Sequence, residues 1–247
     1  MKDMYVVGRN PVLELLKSHR DIDKIYVLKG DLQGSIKKIV AIAREKNILI
    51  QEVDRSKLDA ISEGNAHQGV AALVTGYRYA QLDDIFKRAE EVGEEPFIII
   101  LDGIEDPHNL GAIVRTAECA GVHGVIIPKR RSARVNQTVY KSSAGAVEHM
   151  LIAEVTNISN TIDALKERGL WIYGADMDGD SYYFNVDLGG SIALVIGNEG
   201  RGISRIVKEK CDFLVKIPML GKITSLNAST SAAILMYEVV RQKYGKK

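Results

Sequence analysis

PFIIILDGIEDPHNLGAIVRTAECAG, residues 96–121, joins two kinds of pattern. Five apolar residues run unbroken over 97–101, as a strand buried on both faces does. After a polar turn, Leu110, Ile113, Val114 and Ala117 recur at helical spacing, which predicts a helix over 108–120. A buried strand leading into an amphipathic helix is half of a β-α-β unit, the element of parallel sheets. Downstream the pattern repeats, with strands predicted at 125–127, 151–155, 170–174, 192–196 and 213–217 and a helix near 136–146. A last helix is predicted over 227–243, its inner face carrying Ser229, Ala232, Ala233, Met236 and Val240. The expectation is an α/β domain with helices on both faces of a parallel sheet, which binds ligands at the carboxyl ends of its strands.

Upstream the elements are shorter. Asn10-Pro11 reads as the cap of a helix through Leu16, and strands are predicted at 24–28, 48–53 and 69–75. Ile36, Ile39, Val40 and Ala43 mark a helix over 32–46. Residues 76–95 are acidic, closed by Pro96, and hold a short helix over 82–91. This divides the chain into a small α/β domain at 1–76, a linker at 77–95 and a larger α/β domain at 96–247.

The 247 residues suffice for a sizeable core without disulfides or metals, and 46% hydrophobic with 26% charged is ordinary globular composition. Cys119 and Cys211 sit among apolar neighbours without ligand spacing and read as core fillers. With no His/Cys/Asp cluster, no metal is expected. No apolar run approaches the ~20 residues of a membrane span. The opening residues carry no long apolar segment with a cleavage signature, so a cytoplasmic protein is expected. The net charge of +1 says nothing about partners. From 122 to 147, however, there is no carboxylate, while Lys129, Arg130, Arg131, Arg134 and Lys141 fall inside. Such a run is either a solvated face or a polyanion-binding one.

Three segments with loops at strand carboxyl ends concentrate polar groups: 101–117, 197–202 and 217–229. Each residue has an ordinary reading. Asn109 could cap a helix, and Ser225 and Asn227 could cap the last one. Arg115, about 140° from Leu110 around its helix, could be a solvated partner of Glu118. Residues 197–202 could be a simple turn. That loop reads G-x-x-G-x-G and comes late in the chain, which weighs against a nicotinamide-dependent oxidoreductase.

Taken together, NLGAIVRTAECAG (109–121), VIGNEGRGIS (195–204) and IPMLGKITSLNASTSAA (217–233) resemble the three successive motifs of the SpoU/TrmH family of SPOUT RNA methyltransferases. VVGRNPVLELL (6–16) and NAHQGVAALV (65–74) resemble the N-terminal domain of its RlmB-like subgroup. Ala228 departs from the valine common there. The resemblance implies a C-terminal SPOUT domain with a deep trefoil knot, which pattern reasoning alone would never choose. It also implies a small ribosomal-protein-like N-terminal domain that grips RNA, and a homodimer. The implied cofactor is S-adenosylmethionine, contacted by Gly197, Ile217 and Leu226, with Gly197 and Gly200 letting the main chain approach closely. The implied reaction is methylation of a ribose 2′-hydroxyl. By position Asn109, Arg115, Glu199, Ser225 and Asn227 are the catalytic set. A guanidinium stays charged, so Arg115 would stabilise the developing alkoxide rather than act as a base. Lys129, Arg130, Arg131 and Arg134 would hold RNA. The RlmB-like subgroup points to a guanosine in the peptidyl-transferase region of 23S ribosomal RNA, free or in an assembling large subunit. A tRNA guanosine, another ribosomal RNA site and a catalytically dead RNA-binding adaptor are the alternatives, the last opposed by the intact Asn109, Arg115, Glu199 and Asn227.

Overall fold

The computed structural model describes residues 4–18, 20–30, 33–64 and 66–245. Along the chain run β1 (Met4–Val7), α1 (Arg9–Lys17), β2 (Ile22–Leu28), α2 (Ser35–Glu45), β3 (Leu49–Val53), α3 (Arg55–Ser62) and β4 (Val70–Val74). Then come α4 (Leu82–Glu91), β5 (Phe97–Asp102), α5 (Pro107–Cys119), β6 (Gly124–Pro128) and α6 (Gln137–Ser142). The last part holds β7 (Ile152–Val155), α7 (Ile158–Glu167), β8 (Trp171–Ala175), β9 (Ser181–Tyr182), β10 (Ile192–Gly197), α8 (Arg205–Lys208), β11 (Phe213–Lys216) and α9 (Ala228–Gly245). Residue 32, where the second helix was expected to begin, and residue 65, the first of the NAHQGVAALV segment, lie outside the described residues.

Two compact units result. The first comprises Met1–Arg78 with Arg134–His149, the second Tyr79–Ala133 with Met150–Lys247. In the first, four strands in the order β1-β4-β2-β3 make a mixed sheet, β2 and β3 parallel and the other pairs antiparallel. Its helices bury Leu15, Leu16, Ile36, Ile39 and Leu58. α1 starts one residue before Asn10, on Gly8 at φ 102°, so Asn10-Pro11 lies inside the first turn rather than capping it.

The inserted segment departs from the expected division. α6 is short, capped by the Asn136 side chain, which accepts from Val139 N at 3.0 Å. It breaks at Ala144 (φ 52°) and Gly145 (φ 90°). The segment packs on the first unit: Arg20 donates to Glu148 at 2.8 Å and to the Tyr140 hydroxyl, and Glu14 meets His149 at 2.9 Å. Val139, Tyr140 and Val147 are buried.

The second unit is built on a seven-stranded, all-parallel sheet in the order β7-β6-β5-β10-β8-β11-β9. β5 and β10 lie side by side at its centre, buried over Phe97–Leu101 and Ile192–Ile196, which explains their unbroken apolar runs. α4 is not a bare linker helix, since its Ile85 and Ala89 are fully buried in this core. α9 returns from β11, beyond β8, to pack on α5 and β10. Its buried stripe is Ala228, Ala232, Leu235, Met236 and Val239, so Ser229, Ala233 and Val240 of the expected face are only half-buried. Cys119 is exposed on the last turn of α5 and is not a core filler. Cys211 is half-buried, and burial pushes its thiol up to about 12. No helix among the described residues is long and apolar enough to cross a membrane.

Candidate active site

The loops after β5 and β10 are tied at their bases. Asn198 Nδ2 donates to Gly103 O at 2.9 Å, and Ser204 N donates to Asp102 Oδ2 at 2.7 Å. The β10 loop closes on itself through paired bonds between Asn198 and Gly202, of 3.0 and 2.8 Å. That closure dictates Gly197. A Cβ there would come within 2.1–2.3 Å of the Gly202 and Ile203 backbone, so the glycine serves the loop's own packing before any ligand. Gly200 has room, its nearest neighbour being Asn198 Oδ1 at 3.7 Å.

The three expected motifs meet through side chains. Asn109, on the first turn of α5, donates to Glu199 Oε1 at 2.8 Å. Asn227 donates to Asn109 Oδ1 at 3.0 Å and to the same Glu199 oxygen. The backbone N–H of Ala228 reaches that oxygen at 3.4 Å. Glu199 Oε1 is thus the common acceptor for α5 and for the start of α9. The helix-cap reading fails for Asn109, because Asp106 caps α5, accepting from His108 N at 2.9 Å. For Asn227 both readings hold, since its Oδ1 also accepts from Ser229 N at 2.9 Å.

Beside this network lies a pocket of about 680 Å³, within the range of small-ligand sites. Gly197, Glu199, Gly200, Ile217, Ser225 and Leu226 all line it. The carboxyl end of β8, absent from the expected site, contributes Asp176, Met177 and Asp178, and α8 contributes Lys208. The signal available was the strand itself: in a parallel sheet every strand's carboxyl end is a candidate wall.

Arg115 does not line the pocket. It lies six residues past Asn109, about 240° further round α5 at 100° per residue. It is exposed and makes no hydrogen bond or ion pair among the described residues, so pairing with Glu118 is not seen. Lys129, Arg130 and Arg131 follow β6 on the surface of the second unit, and Arg134 is exposed on the first. Among the described residues no group of three or more His, Cys, Asp or Glu side chains could hold a metal ion.

An all-parallel sheet with a ligand-sized pocket at its strand ends, bordered by a backbone-rich loop and an Asn-Glu-Asn network, defines an α/β protein with a small-ligand site at the carboxyl ends of its strands. Residues 96–237 match the SpoU rRNA Methylase family and residues 5–80 match the RNA 2′-O ribose methyltransferase substrate-binding domain, so the chain belongs to the SpoU/TrmH family of RNA methyltransferases. YacO of Bacillus subtilis strain 168, named as a TrmH family tRNA/rRNA methyltransferase, is 50% identical over 97% of this chain and 96% of its own length. A Staphylococcus aureus (strain MSSA476) protein named for the same family is 46% identical over 99% of this chain and 98% of its own. Among solved structures, the SpoU methyltransferase AviRb of Streptomyces viridochromogenes in complex with AdoMet is 26% identical and superposes with a TM-score of 0.81, covering 98% of this chain and 90% of that one. The fold is accordingly a small N-terminal α/β domain with a C-terminal SPOUT domain.

Proposed function

We propose that the protein methylates a ribose 2′-hydroxyl of RNA, taking the methyl group from S-adenosylmethionine, and that its target is a guanosine in the peptidyl-transferase region of 23S ribosomal RNA. One observation carries this reading: Asn109, Glu199 and Asn227, drawn from three separate segments, converge on one carboxylate oxygen beside a pocket of suitable size. The pocket fits the cofactor in its mixed lining, with apolar Ile217 and Leu226 facing the backbone of Gly197–Gly202. The bound cofactor supplies an electrophilic methyl group on a sulfonium. Glu199, held by three donors, fixes the β10 loop against α5 and α9, and its other oxygen accepts no hydrogen bond among the described residues. Ser225, exposed at the pocket wall, is free to orient substrate. Arg115 stabilises alkoxide charge as the hydroxyl gives its proton to an RNA phosphate or to water. Because Arg115 does not line its own chain's pocket, the proposal includes a homodimer, in which a second copy supplies that charge. In the division of labour, the first unit (Met1–Arg78 with Arg134–His149) grips the RNA and the second (Tyr79–Ala133 with Met150–Lys247) carries out the transfer in the cytoplasm, with Lys129, Arg130, Arg131 and Arg134 binding phosphates.

The test is methylation of RNA from a strain lacking the gene, followed by mapping of alkali-resistant 2′-O-methyl positions. Methylation confined to transfer RNA would move the target to the tRNA alternative, and no ribose methylation of any RNA would sink the reading. In equilibrium binding of the same RNA at increasing salt, neutralising the four basic residues should lower the slope of log affinity against log salt by roughly one per lost phosphate contact.

Gly197→Ala should disrupt the pocket while Gly200→Ala should not. The added methyl at 197 must displace the Gly202 backbone, and forced repacking of this kind costs about 1–3 kcal/mol, or roughly tenfold to a hundredfold in affinity for S-adenosylhomocysteine. Calorimetric titration of both variants checks this, and equal affinities would show that the β10 loop moves freely.

A further inference from the structure

After β8 the chain turns through Asp176, Met177, Asp178 and Gly179, and the first three form a wall of the pocket. The turn is pressed against β11: Asp176 N donates to Val215 O at 3.0 Å, and a Cβ on Gly179 would lie 2.8–3.0 Å from the Leu214 and Val215 backbone. Asp176 is therefore held in place before any ligand arrives. Its Oδ1 accepts from Lys208 Nζ and from Asp178 N, each at 2.9 Å. Its Oδ2 accepts no hydrogen bond among the described residues, yet it is not a sealed, unpartnered atom. A Cβ on Gly202, across the pocket wall, would approach it to 4.0 Å. One oxygen of this carboxylate is satisfied by the protein, and the other is left open at the pocket.

We infer that Asp176 Oδ2 accepts a hydrogen bond from a ribose hydroxyl of the cofactor's adenosine half, so that Asp176 selects ribonucleosides from deoxy analogues. The inference rests on the cofactor proposed above. An ionised carboxylate is an acceptor only, so its ligand must bring a donor. The adenosine half offers hydroxyls and the amino-acid half an ammonium, and the surrounding charge chooses between them. Lys208 already compensates Asp176, and the hydrogen bond that Lys208 donates to Asp176 raises the pKa of its ammonium and keeps it charged. The pocket lining balances Asp176, Asp178 and Glu199 with Arg201, Arg205 and Lys208. A further ammonium gains little in that field, whereas a neutral hydroxyl gains a charge-assisted bond.

The experiment is calorimetric titration of the full-length protein and its Asp176→Ala variant with 5′-methylthioadenosine, its 2′-deoxy and 3′-deoxy forms, and S-adenosylhomocysteine. The native protein should bind 5′-methylthioadenosine about 10- to 100-fold more tightly than one of the deoxy forms, the range for one hydrogen bond to a charged group. In Asp176→Ala that difference should vanish, the ribose form falling to the level of the deoxy form. The measure is a ratio within each protein, so a modest loss of stability in the variant does not imitate it. Lys208→Met, which leaves Oδ2 in place, should keep the discrimination even if every affinity drops. A deoxy penalty undiminished in Asp176→Ala overturns the inference. So does a variant that loses S-adenosylhomocysteine but not 5′-methylthioadenosine, because Asp176 would then serve the amino-acid end. Native protein that binds none of the four ligands refutes the cofactor reading itself, and the role of Asp176 falls with it.

Discussion

Replacing Arg115 with alanine will lower the single-turnover rate of RNA methylation by about 10²-fold or more, the scale of losing one donor to a developing oxyanion. Nothing else in the protein should change much. The side chain is exposed and bonds to none of the described residues, so the loss of stability should stay within roughly 1 kcal/mol. Titration with S-adenosylhomocysteine should match the native protein, because Arg115 lies outside the pocket. Lysine should rescue little, since a point charge does not reproduce the planar fork of the guanidinium. If Arg115 acts on a second copy's pocket, mixed dimers of Arg115→Ala and Glu199→Ala chains should recover about one functional site, while each variant alone stays inactive. A near-normal rate for Arg115→Ala with saturating RNA and cofactor would make Arg115 an ordinary surface residue of α5.

Cutting the chain after Arg78 should not release a well-behaved C-terminal domain, although the acidic stretch before Pro96 invites that cut. Arg134–His149 belongs to the first unit, where Arg20 and Glu14 hold Glu148, Tyr140 and His149. Without residues 1–78, Val139, Tyr140 and Val147 lose their cover. At roughly 1.5–3 kcal/mol for each large apolar side chain, that is about 5–9 kcal/mol, comparable to the whole stability of many domains. The truncated chain should aggregate, and limited proteolysis should cleave first within 134–149. Replacing that segment with an equally long Gly/Ser run should restore solubility. A truncated chain that resists protease at 134–149 would show that the segment folds without the first unit.

What the sequence revealed and what it hid follow from where each element finds its partner. β5 and β10 were legible because burial on both faces leaves no polar residue to blur the run, and α4 was legible to the residue from its local period. β1 and α3 were not, being four and eight residues long with their apolar positions completed only by β4. α7 carried a readable signal in Ile158, Ile162 and Leu165 that went unused. No local pattern could assign Arg134–His149 to the first unit, because the residues that receive it are far off in sequence, Ile61 by 76 positions and Arg20 by more than 100. At the site, motif positions brought Asn109, Glu199 and Asn227 together correctly, since the bonds among them are the reason for those residue types. The same positions placed Gly197 at the pocket without showing that its glycine also answers to the loop's own backbone, and were silent about Asp176, which belongs to no motif.

The central pairing of β5 with β10 also sets a timetable for folding. Phe97 and Ile192 are neighbours in the sheet but 95 residues apart along the chain. Pairings this distant in sequence make folding slow, because a long loop must close before any contact rewards it. During synthesis the first unit's sheet, complete by Val74, can form early. The second sheet has no centre until β10 has left the ribosome, and Glu199 has no Asn227 until a further 28 residues follow. β5, with its run of isoleucines, can pair early with β6 on one edge, but its other edge stays open until β10 follows. The protein's exposure to chaperones and to misassembly should be concentrated in that interval.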